Sequence, residues 1–408
     1  MFSSKLIVCS AVAGILAGAS SSHGQEPVDS FVDALREGSV DLVFRYRYEF
    51  VDQSGFDSDA NSSLLRTRVT YQSASFQDYS FLVEMDDLRA LGPDDYNSTR
   101  NGRTDRPVVA DPEATDLNQA RVRYTGFADT TVTFGRQRIN HTNQRFIGGV
   151  GWRQNEQTYD ALEVDHTISD DFRLRYTYVD NVNRIFGPDS GSPAGDLRSS
   201  SHFIDASFDL NSSTAIGAYA YSLDFDNAAS ASSNTLGFRL TGMGTAGDSL
   251  SVPFTIEYAR QGDNGSNPNS YDVDYYLLEA GLSWTNLTVK LSHEVLEGEG
   301  IPGHAFSTPL ATLHPFQGWA DKFLRTPDEG IEDTYVSVTG RAGGVAFTAI
   351  YHDYSAGIGG ASFGDEINLQ AGWSFAENYS VLLKLASYSA DSHATDTDKI
   401  WMMLTGAF

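Results

Sequence analysis

The 408-residue chain is poor in several things at once. It has a single cysteine, Cys9, and 12 prolines. Its 28 Lys and Arg face 54 Asp and Glu, a formal net charge of −26. Positive charge that scarce excludes a nucleic-acid binder, which needs the opposite sign. Lysine is scarcest: Lys5, Lys290, Lys322, Lys384 and Lys399 are all there are. Outside the first 24 residues there is no cysteine, so no disulfide framework. There is also no apolar run near 18 residues, which excludes helical membrane spans.

The N-terminus reads as an export signal. Lys5 supplies a short positive region, and Leu6 to Ala19 is a 14-residue apolar stretch. That is too short for the roughly 20 residues of a spanning helix. Small residues follow, with cleavage expected near Gly24 and Gln25. The expected layout is a signal peptide at 1–24, a periplasmic segment at 25–39 and a body at 40–408. A mean hydropathy of −0.30 suits a soluble protein. It also suits a transmembrane β-barrel, whose strands need about 9–11 residues and are apolar on one face only.

What the chain has in plenty is alternation. Leu42, Phe44, Tyr46, Tyr48 and Phe50 alternate with Val43, Arg45, Arg47 and Glu49. Phe172, Leu174, Tyr176 and Tyr178 alternate with Arg173, Arg175 and Thr177. This period gives each strand one apolar and one polar face. About eighteen such segments run from 40–50 to 398–408. The connectors after odd-numbered segments are long and rich in Asp, Asn, Gly and Ser, as in 88–116, 138–157 and 298–331. Those after even-numbered segments are tight, as in 127–129 and 168–170. Sandwiches and propellers have no reason to sort loop length by parity. An all-β antiparallel up-and-down barrel with long extracellular loops and short periplasmic turns does. Tyr48, Tyr178, Tyr258, Trp284, Trp373 and Trp401 lie near segment ends, as interfacial girdles require. Residues 28–38 read as a short periplasmic helix that plugs or caps the base. The last strand ends on Phe408, which resembles the C-terminal signal of bacterial outer-membrane barrels, although Gly406 stands where an aromatic is usual.

Of 23 arginines, 19 precede residue 200. Arg45 and Arg47, Arg66 and Arg68, Arg121 and Arg123, and Arg173 and Arg175 are i,i+2 pairs opposite the apolar face. In a barrel that face is the lumen. A lipid-facing arginine near the midplane would cost about 2–4 kcal/mol. Inward acids are interleaved, among them Glu49, Glu84, Asp86, Glu163, Asp165, Asp205, Glu257, Glu279 and Glu294. Two readings stay open. Arginines and acids pair across strands and fill the lumen, or unpaired arginines attract anions and carboxylated sugars. Arg136 and Arg138 break the pattern by sharing parity with Val132 and Phe134. Either the strand bends at Gly135 or both emerge beyond the membrane edge.

Gly135 to Ala161 reads GRQRINHTNQRFIGGVGWRQNEQTYDA, and Phe306 to Val336 reads FSTPLATLHPFQGWADKFLRTPDEGIEDTYV. Both resemble signature stretches of the alginate-export outer-membrane protein family. The resemblance extends over the chain beyond the signal. It implies an 18-stranded monomeric barrel with a positive lumen and loops folded partly inward. It places Arg136, Gln137, Arg138, Asn143, Gln144, Arg145, Phe146, Trp152, Arg153, Gln154 and Glu156 in a loop over or in the pore. It places Phe316, Trp319, Asp321, Lys322 and Phe323 in a second inward or capping loop.

Catalysis has little to stand on. The nine histidines show no HExxH or paired-ligand spacing, and no GxSxG elbow or Walker loop occurs. His352 with Asp353 is the best catalytic pair, and a solvated loop edge explains it better. No cofactor and no metal site is expected, though acids such as Asp94 and Asp95 suit bridging to lipopolysaccharide through divalent ions. The expected function is a non-enzymatic outer-membrane channel for small anionic or carbohydrate solutes. The alternatives are an exporter of an anionic exopolysaccharide with secretion partners, and an outer-membrane enzyme or adhesin.

Overall fold

The structure is a computed structural model that describes residues 28–189, 191–247 and 249–408. The expected signal peptide lies outside the described residues. A short helix, α1 (Phe31–Arg36), precedes eighteen strands. The first nine are β1 (Ser39–Gln53), β2 (Ala60–Gln72), β3 (Tyr79–Asp95), β4 (Ala114–Phe127), β5 (Thr130–Gln137), β6 (Thr158–Ser169), β7 (Phe172–Asn183), β8 (Asp196–Asn211) and β9 (Thr214–Leu223). The rest are β10 (Ser233–Thr245), β11 (Ser251–Asp263), β12 (Asp272–Ser283), β13 (Leu287–Glu297), β14 (Gly330–Ala342), β15 (Val345–Ser355), β16 (Ser362–Phe375), β17 (Tyr379–Ala390) and β18 (Thr397–Ala407).

Each strand pairs antiparallel with its sequence neighbours, and β1 closes on β18 with Val43 opposite Ala407 and Gln53 opposite Thr397. Closure leaves no sheet edge, so the backbone groups along both sides of every strand can pair inside the sheet, as a lipid environment demands. Among the described residues no helix is long and apolar enough to cross a membrane. The crossing elements are the strands.

The alternation sorts side chains as expected. On β18, Trp401 and Met403 are 0% and 1% exposed, while Met402 and Leu404 are each 42% exposed. The first pair points inward and the second outward. Leu236, Leu278, Leu291 and Phe134 join a large exposed apolar belt. On a soluble monomer such a belt would be a liability; around a barrel it is the lipid contact. Aromatics cluster at the short-turn end, where the Tyr79 ring lies 4.5 Å from Tyr124, and Tyr124 lies 5.0 Å from Phe127. Phe408 belongs to this row, with its ring 5.7 Å from Tyr379.

Two expectations need correction. Trp401 is no girdle residue: it shares inward parity with Lys399 and Met403 and is fully buried in the lumen. Helix α1 neither plugs nor caps the base. It lies beside the wall, with Tyr71 Oη donating to Leu35 O at 2.7 Å from the outer face of β2.

Strand lengths also differ in an instructive way. β3 runs on to Asp95, well into the connector expected at 88–116. Its upper part carries Asp87, Asp94 and Asp95, so apolar alternation fades there while hydrogen bonding to β2 continues. The strand outlasts the lipid.

Candidate functional site

The lumen is organised by two loops that fold into it. The first, residues 138–157, begins where β5 stops at Gln137. Gly135 has φ +114, and a Cβ there would meet Ala120 O at 2.3 Å. Only glycine fits that close approach. Arg136 keeps its outward parity and is neutralised on the next strand, its Nε donating to Asp160 Oδ1 at 2.8 Å. Arg138 lies past the strand end and turns inward. Its Nε donates to Glu156 Oε2 at 2.6 Å and its Nη2 to Glu84 Oε1 at 3.1 Å. The two residues therefore part company, which shared parity does not foresee.

The second loop, 298–329, packs against the first. Gly148 N donates to Leu310 O at 2.9 Å, and Thr312 N donates to Gln144 O at 3.0 Å. Tyr159 Oη donates to Gly148 O at 2.8 Å. A Cβ at Gly148 would lie 2.3 Å from Thr312 Oγ1, so the loops touch backbone to side chain. Arg145 ties them to the wall: its Nε donates to Glu294 Oε1 at 2.7 Å and its Nη2 to Gln317 Oε1 at 3.1 Å. Asn143 only shapes the local turn, accepting from Arg145 N at 3.3 Å. Gln137 donates to Ala161 O at 3.1 Å and pins the strand end.

Four of the eight ladder arginines hold the first loop. Arg45 donates from Nε to Gln154 Oε1 at 2.7 Å and from Nη1 to Gly151 O at 2.9 Å. Arg47 donates to Trp152 O at 2.6 Å and pairs with Asp111. Arg66 lies 3.6 Å from Glu156, and Arg68 donates from Nη1 to Glu156 Oε1 at 2.9 Å. Arg68 also grips both carboxylate oxygens of Asp86, at 2.7 and 2.6 Å. Burial alone would push the Glu156 carboxyl up. The Arg138, Arg68 and Arg66 guanidinia around it hold it well below the ordinary carboxylate range. These arginines are buried and engaged with the loop or the wall, and Arg68 is bidentate on Asp86, so they have little left to offer a solute.

The other ladder residues lie nearer the short-turn end of β4 and β7. Arg175 pairs with Asp165 at 2.7 Å. Arg121 and Arg173 have no ion pair or hydrogen bond among the described residues. Arg123 makes only a 3.5 Å contact to Thr131 Oγ1. Arg123 and Arg173 are exposed, and Arg121 is half-buried. Glu163 lies on the same wall, 3.7 Å from His141 Nε2. His141 Nδ1 is 2.8 Å from Asp205 Oδ2, an approach without hydrogen-bond alignment and therefore an ion contact. Burial lowers the His141 pKa, but Asp205 and Glu163 outweigh it and leave the imidazole raised above its ordinary value.

A third group joins residues of both loops to the far wall. Trp152 stacks on His314 at 4.4 Å with a 2° interplanar angle. Lys384 Nζ sits 4.2 Å from the Trp152 ring and 3.7 Å from Trp319, and 2.6 Å from His314 Nε2. Asp321 lies 2.8 Å from Lys399 and 3.0 Å from Arg153. This cluster clamps both loops to β17 and β18. The resemblance marks Trp152, Arg153, Trp319 and Asp321 as loop residues, and inward parity is the sequence signal for their wall partners Lys384, Lys399 and Trp401. Phe323 stacks on His393 at 4.9 Å, and the Arg145 guanidinium lies 4.8 Å from the Phe316 ring. Lys322 borders an open recess of about 430 Å³ with Arg325 and His393. His352 pairs with Asp333 at 2.9 Å, not with Asp353, which points outward from β15. Among the described residues no group of three or more His, Cys, Asp or Glu could hold a metal ion.

The alginate export family model matches residues 37–291. The chain belongs to that family. No curated protein matches it. Among solved structures, the chain is similar to Acinetobacter baumannii OccAB4, at 15% identity, 91% of this chain, 98% of that one and a TM-score of 0.73. It is similar to Pseudomonas aeruginosa OccD3 (OpdP), at 14% identity, 92% of each chain and a TM-score of 0.69. It is also similar to Pseudomonas aeruginosa OpdK crystallised with vanillate, at 14% identity, 92% and 99% coverage and a TM-score of 0.71. At such identity the likeness is one of fold. The fold is that of an outer-membrane porin, and the chain is a transport protein rather than an enzyme.

Proposed function

We propose that this barrel is a passive outer-membrane channel for small anionic or sugar-acid solutes. One observation carries this reading: among the described residues Arg121, Arg123 and Arg173 have no ion pair and no hydrogen bond to a carboxylate, and they stand on the lumen wall on the short-turn side of the two inward loops. A fixed positive field beside a constriction selects anions without covalent chemistry. The planar guanidinium fork suits carboxylates, which it can hold through two oxygens. Residues 1–24 act as the cleaved export signal, 25–39 form the periplasmic segment, and the barrel works as a monomer. The acidic outer loops face lipopolysaccharide. Reconstitution in planar bilayers under a KCl gradient tests the reading. A reversal potential of anion-selective sign is expected; a cation-selective sign overturns it.

The second reading is export of an anionic exopolysaccharide within a secretion complex. The family's own name favours it. It requires periplasmic partners, and unchanged exopolysaccharide secretion after deletion of the gene would eliminate it.

A further inference from the structure

Among the described residues, helix α1 is the one α-helix, it lies outside the barrel wall, and it presents an apolar face. Two backbone hydrogen bonds hang it on the β2–β3 turn: Val28 N donates to Ser75 O at 3.1 Å, and Ala74 N to Ala34 O at 3.0 Å. Ser30 caps it by accepting from Asp33 N at 3.1 Å. Tyr71 and Phe81 face outward, because Arg68, Glu84 and Asp86 set the inward parity of their strands. Both touch the helix, Tyr71 through Leu35 O and Phe81 with its ring 6.4 Å from Phe31. A Cβ on Gly38 would come within 2.6 Å of Tyr71 Oη, so a glycine lets the chain pass from the helix into β1. The helix therefore lies on the lipid side of the wall, at the periplasmic rim.

At about 100° per residue, Phe31, Leu35 and Val32 share an arc of roughly 100°. Ala34 flanks that arc and is buried against the rim. Phe31, Val32 and Leu35 are 55%, 50% and 39% exposed. Tyr71, which touches the helix, pairs across the sheet with Val40 and Val83, exposed members of the lipid belt. A six-residue helix has no stability of its own in water, and three large apolar side chains beside a bilayer gain most by entering it. We propose that α1 is an interfacial anchor that seats Phe31, Val32 and Leu35 among the phospholipids of the periplasmic leaflet. Asp29, Asp33 and Glu37 outnumber Arg36 in this stretch, so the anchor is apolar rather than electrostatic.

The test uses the full chain in a Cys9→Ser background, where Val32→Cys is the sole cysteine. It is labelled with a nitrobenzoxadiazole dye and reconstituted in phosphatidylethanolamine–phosphatidylglycerol vesicles. Val40→Cys serves as the lipid control and Asp57→Cys as the water control, with folding checked by heat-modifiable migration. Brominated acyl chains should quench the Val32 label at least twofold, near the Val40 value, with iodide protection to match. Iodide quenching like that of Asp57 overturns the proposal. So does protection from both quenchers, which would mean a protein covers the helix.

Discussion

The ladder arginines form two tiers that strand parity renders identical and the fold makes opposite. Arg45, Arg47, Arg66 and Arg68 are buried and engaged with the loop at 138–157. Arg121, Arg123 and Arg173 face the lumen without an ion pair among the described residues. The difference follows from where a loop happens to fold. A loop that enters the lumen brings Glu156, Gln154 and backbone carbonyls to one wall and leaves the other wall free. The packing reading describes the upper tier, and the proposed anion field rests on the lower one.

The comparison can be broken from its upper side. Glu156→Gln removes the carboxylate at the centre of Arg66, Arg68 and Arg138, leaving buried charge uncompensated. The expected loss is about 3–5 kcal/mol, read as a lower unfolding midpoint in detergent. An unchanged midpoint would mean that the loop is not held by these arginines. Trp152→Ala, which removes the ring stacked on His314 and beside Lys384, should cost about 3 kcal/mol. It should also loosen both loops, seen as larger and noisier single-channel conductance.

From the lower side, Arg121→Ser with Arg123→Ser should leave stability within about 0.5 kcal/mol. Anion preference should fall instead. An exposed charge is worth about 1 kcal/mol at 4 Å in water, or about fivefold in local ion concentration per charge at most. Raising KCl to about 1 M, where the Debye length is about 3 Å, should erase much of the wild-type preference. The smallest effect concerns His141. Its pKa in the fold is raised above the ordinary 6.5, so its charged contacts with Asp205 and Glu163 contribute fully below about pH 6.5. That contribution is lost as pH rises through the raised value. Channel noise should therefore increase on the alkaline side, and His141→Asn should abolish the pH dependence.

Much of this fold was legible in advance because a barrel writes itself into the chain twice, as period-two alternation and as loop-length parity. Inward placement of Arg45 through Arg175 follows from the lipid's intolerance of charge. The loop residues were marked only by the resemblance of 135–161 and 306–336 to family signatures. Their partners were not legible. Asp111 belongs to a polar loop, and nothing local says that it meets Arg47 and Gln154 in the lumen. Trp401 looked like a girdle aromatic because it sits near a strand end. The parity of Lys399 and Met403 was the better guide. Arg138 was misleading because parity stops carrying meaning at Gln137, where the strand stops.

The central claim is that the unpaired tier, not the paired one, sets selectivity. Reversal potentials under one KCl gradient test it directly, comparing wild type with an Arg121→Ser, Arg123→Ser, Arg173→Ser variant. The account predicts a marked shift toward non-selectivity with conductance and thermal stability retained. An unchanged reversal potential in a folded, conducting triple variant would contradict it.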